Sequence, residues 1–488
     1  MNPLLQIIQD KIRANPAGLY VLFYTEMWEL FGRFSITALL VLYLTLYFHV
    51  SDATAFGVYS AFIALLYTTP IVGGFLTDRF LGSRHAIIFG ASLMCLGNAL
   101  LVIPDKTVVF VGLAIIAVGS GFFLPNIPPM LGALYTNNEE RRDAGFILYY
   151  LGKNIGALLG PVFCGIVGHI FGWNYAFMLS TLGMVSGLVV FVVGQKHLRE
   201  SNQPRHLQQR WLYLPANMSV YALVALSIPI VALIIIKNLD GYLLAVAGVL
   251  AAVVLLFILA KRSLIERKHV VAILIATFFV IIFESFLGQG GTTLNLFIQR
   301  EVNRHILGVV LPTSFFYALN PVFMLMTGPF LAALWIKLAR SNKEPLFTTK
   351  FGIAMFLLAL GFLVFVIAAI VASHAGSISL FYVVLAYFIF PVAELCIVPI
   401  SLSLVTKLAP KGLESLLVGV WMLSNAASGY FIGVISSFGQ VTFSVSAISG
   451  LKQAALIYHH LFLATAICLL IAGVIAFALK PVVKRLVN

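Results

Sequence analysis

Charged residues are scarce in this chain. They make up 10% of its 488 residues, whereas apolar residues make up 61%. Soluble domains contain roughly 25% charged residues, so this composition excludes an ordinary water-soluble globular protein. Apolar runs recur along the whole sequence, each close to the ~20 residues that a helix needs to cross a bilayer. Runs of this length predict membrane-spanning helices, because the strands of a membrane barrel are short and alternate in hydrophobicity.

Cysteine is also rare. Cys95, Cys164, Cys396 and Cys468 fall in separate apolar segments, without a C-x-x-C pair. This spacing indicates neither a disulfide framework nor a metal site, and we expect four small buried hydrophobic residues. No nucleophile–base set, metal-ligand spacing or Gly-rich nucleotide loop stands out either. We therefore expect a protein that is not an enzyme and that carries no cofactor.

Basic residues outnumber acidic ones by 30 to 17, which gives a formal net charge of +13. Most of these lysines and arginines lie in segments that alternating membrane crossings would place on one side. This asymmetry follows the positive-inside rule and predicts that this side, which includes both termini, is cytoplasmic. The positive charge is therefore interpreted as a topology signal, with anionic membrane lipid as a partner, and not as a nucleic-acid-binding surface.

Fourteen apolar segments are predicted to be helices, in a six–two–six pattern. Six lie in residues 1–194, two lie in 195–268 after a basic, polar stretch, and six lie in 269–488. Two six-helix halves joined by a cytoplasmic link are typical of the major facilitator fold, in which substrate binds midway between the halves. The sequence therefore predicts an all-α polytopic membrane protein with twelve core helices in two bundles and two extra central helices.

The segment GGFLTDRFLGSR, residues 73–84, resembles the major facilitator loop motif G-x-x-x-D-R-x-x-G-R. Gly74, Asp78, Arg79 and Gly82 occupy the matching positions. We expect the glycines to permit a tight loop. Asp78 is expected to pair with a nearby arginine or helix end and to stabilise one conformation.

Six ionisable residues fall well inside predicted helices, where an unpaired charge costs on the order of several kcal/mol. They are Glu26, Glu29, Arg33, Lys153, Glu284 and Glu394. Glu29 and Arg33 are four residues apart, so they can pair along one helix face, which Glu26 shares. One interpretation is a structural ion pair. The other is a proton-coupling site, because a carboxyl group can take up a proton when its cation moves away.

Taken together, the motifs resemble those of the proton-dependent oligopeptide transporters, a branch of the major facilitators. EMWELFGRF, residues 26–34, is similar to the family's E-x-x-E-R-F opening, and DAGFILYYLGKNIGA, residues 143–157, to its G-F-x-x-F-Y-x-x-I-N-x-G signature. Segments 288–297, 319–324 and 393–413 are similar to its seventh, eighth and tenth helices. The resemblance implies a monomeric symporter in the bacterial inner membrane that uses protons as its coupling ion and binds a small-molecule substrate.

The resemblance also implies roles for individual residues. Glu394 matches the tenth-helix glutamate that faces the substrate amino terminus in this family. The expected substrate site consists of Arg33, Tyr67, Lys153, Asn154, Asn320, Glu394 and Trp421, and the expected proton-coupling set consists of Glu26, Glu29, Arg33 and Glu284. Helix capping and core packing are alternative explanations for the asparagines and the aromatic residues.

Four positions that carry a charge in the family are uncharged here. The replacements are Leu30 and Thr37 for first-helix arginines, Leu124 for a fourth-helix lysine, and Gly288 for a seventh-helix glutamate. Arg33 and Glu284 each lie about one turn from such a gap and so stay near the same helix face. We therefore predict a proton and anion site in shifted register, with Arg33 and Lys153 as its cations.

Several prolines are expected to bend helices, because each removes a backbone donor. In the fourth predicted helix, 107–135, they are Pro125, Pro128 and Pro129. In the tenth, 378–408, Pro391 and Pro399 lie on either side of Glu394. A bend there is predicted to act as a gate.

Three functions fit these observations. The first is a proton-coupled importer of di- and tripeptides or peptide-like compounds, working by alternating access. The second is a proton-coupled transporter of the same fold for a non-peptide anion, such as a carboxylate siderophore. The third is a membrane receptor that does not transport.

Overall fold

The computed structural model describes residues 15–135, 142–198, 213–242, 263–306, 308–341, 345–410, 414–439 and 447–487, together with positions 244–246, 248–249 and 343. Helices dominate this part of the chain, and twelve of them are long and apolar enough to cross a membrane. The prediction of an all-α polytopic membrane protein is confirmed. The predicted link at 195–210 and the second extra helix, at 241–260, lie largely outside the described residues.

The helices are numbered here in chain order. The first eight are α1 (Ala17–Leu42), α2 (Asp52–Leu76), α3 (Ser83–Leu101), α4 (Lys106–Phe123), α5 (Ile127–Leu134), α6 (Arg142–Phe171), α7 (Trp173–Gly194) and α8 (Tyr213–Lys237). Single π-helical turns extend α1 through Tyr43–Tyr47 and α2 through Thr77–Leu81.

The later part of the chain adds ten helices. They are α9 (Leu264–Leu287), α10 (Thr293–Glu301), α11 (Ser314–Tyr317), α12 (Leu319–Arg340), α13 (Phe347–Ala375), α14 (Leu380–Leu395), α15 (Val398–Leu408), α16 (Glu414–Ser437), α17 (Ala447–Ala478) and α18 (Lys480–Val487). A short antiparallel hairpin, β1 (His305–Ile306) and β2 (Val309–Val310), follows α10, with His305 opposite Val310.

Several of the predicted helices are interrupted, including the two in which prolines were expected to cause a bend. The prediction 107–135 divides into α4 and α5, because Pro125 and Pro128 withdraw backbone donors. The prediction 270–300 is interrupted by the glycine-rich 3₁₀ turn Gly288–Gly291 between α9 and α10. The prediction 378–408 breaks between α14 and α15, with Pro399 in the first turn of α15, where its missing N–H is tolerated.

The loop predicted within 73–84 is shorter than expected. Residues 73–81 are helical, as the end of α2 and its π-turn, and the chain turns only at Gly82, whose φ is 74°. The close contact falls at Gly73, where an added Cβ would lie 2.1 Å from the Gly121 carbonyl oxygen, and not at Gly74, where the nearest atom is 3.6 Å away. Arg79 lies against the Phe80 ring, with its guanidinium 5.9 Å from the ring centroid. The motif therefore marks close helix packing between α2 and α4.

The described chain packs as two compact units. The first comprises the described residues of Met1–Ile36 and Leu65–Lys237, and the second those of Thr37–Ala64 and Asn238–Asn488. The core of the second unit is rich in aromatic residues, with Phe297 in edge-to-face contact with Phe365, Tyr458 and Phe462. The predicted domain boundaries at 194/195 and 268/269 stay predictions.

A bidentate ion pair joins distant parts of the sequence within the second unit. Arg300, at the end of α10, donates to both carboxylate oxygens of Asp52, at the start of α2, at 2.7 and 2.8 Å. Arg300 also donates to the Tyr458 hydroxyl at 3.1 Å. The Asp52 side chain is 8% exposed and the Arg300 side chain 15% exposed, so water screens the pair only weakly.

Removing one member of this pair should destabilise the protein strongly, because the other charge is left nearly buried. We expect Asp52→Asn to lower the free energy of unfolding by about 3 kcal/mol. Thermal unfolding in detergent measures this. Asp105→Asn is the matched control, since Asp105 is an exposed N-cap of α4 that Asn replaces well. If Asp52→Asn and Arg300→Gln were additive in the double variant, the two side chains would not be coupled.

Candidate functional site

The six ionisable residues predicted inside helices fall into two clusters, one in each unit. The unit 1 cluster consists of Glu26, Glu29 and Arg33 on α1, Tyr67 on α2, and Tyr149 and Lys153 on α6. The unit 2 cluster consists of Glu284 on α9, Asn320 on α12 and Glu394 on α14.

Glu29 and Arg33 form a two-pronged ion pair along α1. The Arg33 Nε donates to Glu29 Oε1 at 2.8 Å, and Nη2 donates to Oε2 at 3.1 Å. The third contact of the guanidinium is the Tyr67 hydroxyl, 3.5 Å from Nη1. Glu29 is fully buried, and the Arg33 side chain is 9% exposed. The pairing predicted from the four-residue spacing is therefore present, and a planar guanidinium is suited to it.

Glu26 pairs with a residue of a different helix. The Lys153 Nζ on α6 lies 3.6 Å from Glu26 Oε1, and the Lys153 side chain is 32% exposed. The other carboxylate oxygen, Oε2, is buried and has no hydrogen-bond partner. Close packing sets this contact, since a Cβ at Gly156 would lie 2.0 Å from the Met27 carbonyl oxygen of α1. Only glycine lets α6 approach α1 so closely.

Tyr149 is a member of the unit 1 cluster that sequence reasoning missed. It is buried on α6, one turn before Lys153, whose Nζ lies 5.8 Å from the centroid of its ring. Its hydroxyl interacts with the Glu26 carboxylate. The four-residue spacing from Lys153 was a signal that could have placed it on the same helix face.

The unit 1 cluster is balanced in charge. Two carboxylates face two cations, as Glu29–Arg33 and Glu26–Lys153, so the formal sum is zero. The sequence predicted Arg33 and Lys153 as cations for a substrate anion. In the described structure each of these cations already has a carboxylate partner, although their roles in transport stay predictions.

Asn154 and Trp421 make contacts of the kind expected for structural residues. The Asn154 amide donates to the Tyr150 carbonyl of its own helix at 2.9 Å. The Trp421 indole donates to the Ser401 hydroxyl at 3.0 Å and packs against Val270 and Leu417 in a small apolar cluster. Both side chains are less than a tenth exposed. Their predicted place in the substrate site is therefore untested and gains no support from these contacts.

The unit 2 cluster contains two carboxyl groups. The Asn320 Nδ2 donates to Glu394 Oε2 at 3.0 Å, and the Asn320 Oδ1 is buried without a hydrogen-bond partner. The Glu394 carboxylate interacts electrostatically with the Glu284 carboxyl group. Among the described residues, no lysine or arginine lies within 4 Å of either carboxyl group. The structure thus brings together Glu284, Asn320 and Glu394, which the sequence assigned to two different sets.

A sequence profile described as the POT family matches residues 84–451. The chain belongs to the POT family. Dipeptide and tripeptide permease A of Klebsiella pneumoniae (strain 342) is 30% identical over 483 residues, which cover 96% of this chain and 93% of that protein. An uncharacterized transporter of Bacillus subtilis (strain 168), YclF, is 30% identical over 429 residues, which cover 85% of this chain and 86% of that protein.

Solved structures of POT proteins share the fold. A crystal structure of a peptide transporter POT in complex with sulfate has a TM-score of 0.82 and 27% identity, and the match covers 96% of both chains. A mutant peptide transporter POT in complex with alafosfalin has a TM-score of 0.81 and 28% identity, with the same coverage. A tetrameric relative has a TM-score of 0.82 and 25% identity, with 96% of this chain and 99% of that chain covered. The predicted family and major facilitator fold are confirmed.

The two ion pairs of this POT protein should differ in their importance for stability. Arg33→Ala leaves the buried Glu29 without its cation, and we expect a loss of about 3–5 kcal/mol. Lys153→Ala removes a longer contact whose lysine is 32% exposed, but it leaves the buried Glu26 carboxylate without its cation, so we expect a smaller loss of about 1–3 kcal/mol. Thermal unfolding in detergent compares the two variants. Arg33→Lys should show an intermediate loss, because lysine keeps the positive charge but cannot make the two parallel hydrogen bonds. Equal losses for Arg33→Ala and Lys153→Ala would contradict this ranking.

Proposed function

We propose that this POT-family protein is a proton-coupled symporter that imports di- and tripeptides, or compounds that resemble them, by alternating access. The carrying observation is the unit 2 cluster, in which Asn320 orients Glu394 at the end of α14. The similarity to a dipeptide and tripeptide permease over almost the whole chain supports the same conclusion. In this proposal the Glu394 carboxylate binds the amino terminus of the substrate.

The unit 1 cluster is proposed to couple proton movement to this binding. Protonation of Glu29 would remove its charge and weaken the two hydrogen bonds that hold Arg33. The freed guanidinium could then bind the substrate carboxylate, since arginine binds carboxylates in the same forked geometry. Glu26 and Lys153 are proposed to work in the same way, with a weaker and more exposed pair.

The break between α14 and α15 is proposed to act as a gate. Glu394 lies one residue before the end of α14, and the chain leaves helical geometry at Ile397. A helix that is already interrupted can pivot without breaking further hydrogen bonds. Substrate binding at Glu394 would therefore be transmitted directly to the pivot.

The other two functions have less support. A non-peptide anion could bind Arg33 once Glu29 is protonated, but it would bring no cationic group to Glu284 and Glu394. A receptor that does not transport would leave the carboxyl groups of both clusters without a role in proton coupling. We also propose an inner-membrane location, a monomeric state and contact with anionic lipid. The resemblance and the basic residues of the predicted cytoplasmic segments motivate these three expectations.

Uptake by purified protein in liposomes tests the proposed function. With an inward proton gradient, we expect labelled dialanine to accumulate, and a protonophore to abolish the accumulation. Glu394→Gln should reduce uptake by at least about tenfold, because charged hydrogen bonds are worth ~1.5–3 kcal/mol. Glu266→Gln is the matched control, since Glu266 is exposed to water as part of a capping box that Gln also completes.

Two results would count against the proposal. Undiminished uptake in Glu394→Gln would show that this carboxylate does not bind the substrate amine. An absence of gradient-dependent uptake of several dipeptides by folded protein would favour a non-peptide substrate instead.

The proposed orientation has its own test. A fluorescent protein that matures only in the cytoplasm, fused after Asn488, should fluoresce, whereas alkaline phosphatase at the same place should stay inactive. The expectation follows from the basic residues near the C-terminus, Lys480, Lys484 and Arg485. An active phosphatase would place the C-terminus outside and overturn the orientation.

A further inference from the structure

The unit 2 cluster holds two carboxyl groups and no matching cation among the described residues. Glu394 interacts electrostatically with Glu284 and accepts a hydrogen bond from the Asn320 amide. Both side chains are partly exposed, so a ligand can reach them. The unit 1 cluster, in contrast, is internally neutral.

The backbone adds further negative potential at the same place. Glu284 lies in the last turn of α9 and Glu394 in the last turn of α14, and both helices end within a few residues. The carboxyl end of a helix carries partial negative charge from its free carbonyl groups, which attracts cations. Two carboxyl groups and two helix ends of this kind therefore favour positive charge.

The side-chain oxygen of Asn320 is a further indication that a cation binds here. Its Nδ2 donates to Glu394, and its Oδ1 is a buried acceptor without a hydrogen-bond partner. A buried polar atom normally has a hydrogen-bond partner, because leaving it without one is unfavourable. An ammonium or guanidinium group bound to Glu394 would supply the missing donor.

We propose that the unit 2 cluster binds two cationic groups of one substrate, so that the transporter favours peptides whose first residue carries a side-chain ammonium or guanidinium. This inference rests on the proposed peptide transport and names its substrate class. The α-amino group would bind Glu394 and the Asn320 Oδ1, and the side-chain cation would bind Glu284. Both cations belong to one residue and can reach two neighbouring carboxylates, whereas a cation on the second residue lies beyond the peptide bond.

The charge balance explains the preference. A peptide with a neutral first residue brings one cation and leaves Glu284 unpaired, so this carboxyl group must keep a proton. A peptide with a basic first residue satisfies both carboxylates. The proton and the side-chain cation are therefore alternatives for Glu284.

Competition for dialanine uptake by the wild-type protein tests the inference. Four peptides are compared. Lysyl-alanine is paired with norleucyl-alanine, which has a similar side-chain length without the charge. Alanyl-lysine, which has the same charge on the second residue, is paired with alanyl-norleucine. We expect lysyl-alanine to inhibit at a concentration roughly tenfold lower than norleucyl-alanine, the ratio that corresponds to about 1.4 kcal/mol. Alanyl-lysine should show no such gain over alanyl-norleucine.

A binding measurement on purified protein in detergent then locates the effect. The ratio of the lysyl-alanine and norleucyl-alanine affinities should fall from about ten to about one in Glu284→Gln. It should stay near ten in the Glu266→Gln control. Because it is a ratio measured on folded protein, it does not depend on the proton gradient or on the amount of protein recovered.

The outcomes separate this inference from the proposed function. If dialanine is not transported at all, the proposed function fails and this inference with it. If dialanine is transported but lysyl-alanine and norleucyl-alanine inhibit equally, the inference alone is wrong. A gain for alanyl-lysine as large as that for lysyl-alanine, or a preference that survives in Glu284→Gln, would also overturn it.

Discussion

A charge that lies inside a bilayer must be neutralised, and this constraint organises the structure. In the unit 1 cluster the two carboxylates are neutralised by Arg33 and Lys153, and in the second unit Asp52 is neutralised by Arg300. Each of these pairs holds two elements or two helical turns at a fixed distance. Glu284 and Glu394 have no lysine or arginine partner in the part of the chain that the structure describes, and in our proposal a proton or a substrate cation neutralises them. The same requirement therefore produces rigidity in one place and binding in another.

Helix breaks coincide with the two carboxyl groups that have no basic partner among the residues that the structure describes. Glu284 precedes the glycine-rich turn between α9 and α10, and Glu394 precedes the break before α15. An interrupted helix presents free carbonyl groups at membrane depth, which is tolerated where they face protein or a water-filled cavity. Charge and irregular backbone thus occur together. In our proposal this combination links substrate binding to helix movement, as in other transporters with discontinuous helices.

The sequence was sufficient to predict the fold class and the ion pair within one helix. The four-residue spacing of Glu29 and Arg33 determines their contact, because residues four apart share a helix face. The sequence was not sufficient to predict contacts between helices. The pairing of Glu26 with Lys153, and of Glu284 with Glu394, depends on how helices pack and turn about their axes, and no spacing along the chain encodes this. The apolar pattern also failed to locate the helix breaks, because the apolar runs continue through Gly288 and Cys396, where the helices are interrupted.

The pairing of Asp52 with Arg300 has a consequence for the assembly of the protein in the membrane. The two residues are separated by 248 positions. At a synthesis rate of 5–20 residues per second, Arg300 is made roughly 12–50 s after Asp52. During that interval the aspartate has no guanidinium to neutralise it, so the start of α2 must stay in contact with water or lipid headgroups. The ion pair at the start of α2 is therefore completed only when a much later segment arrives, and a newly made chain that stops short of Arg300 lacks this contact between α2 and α10.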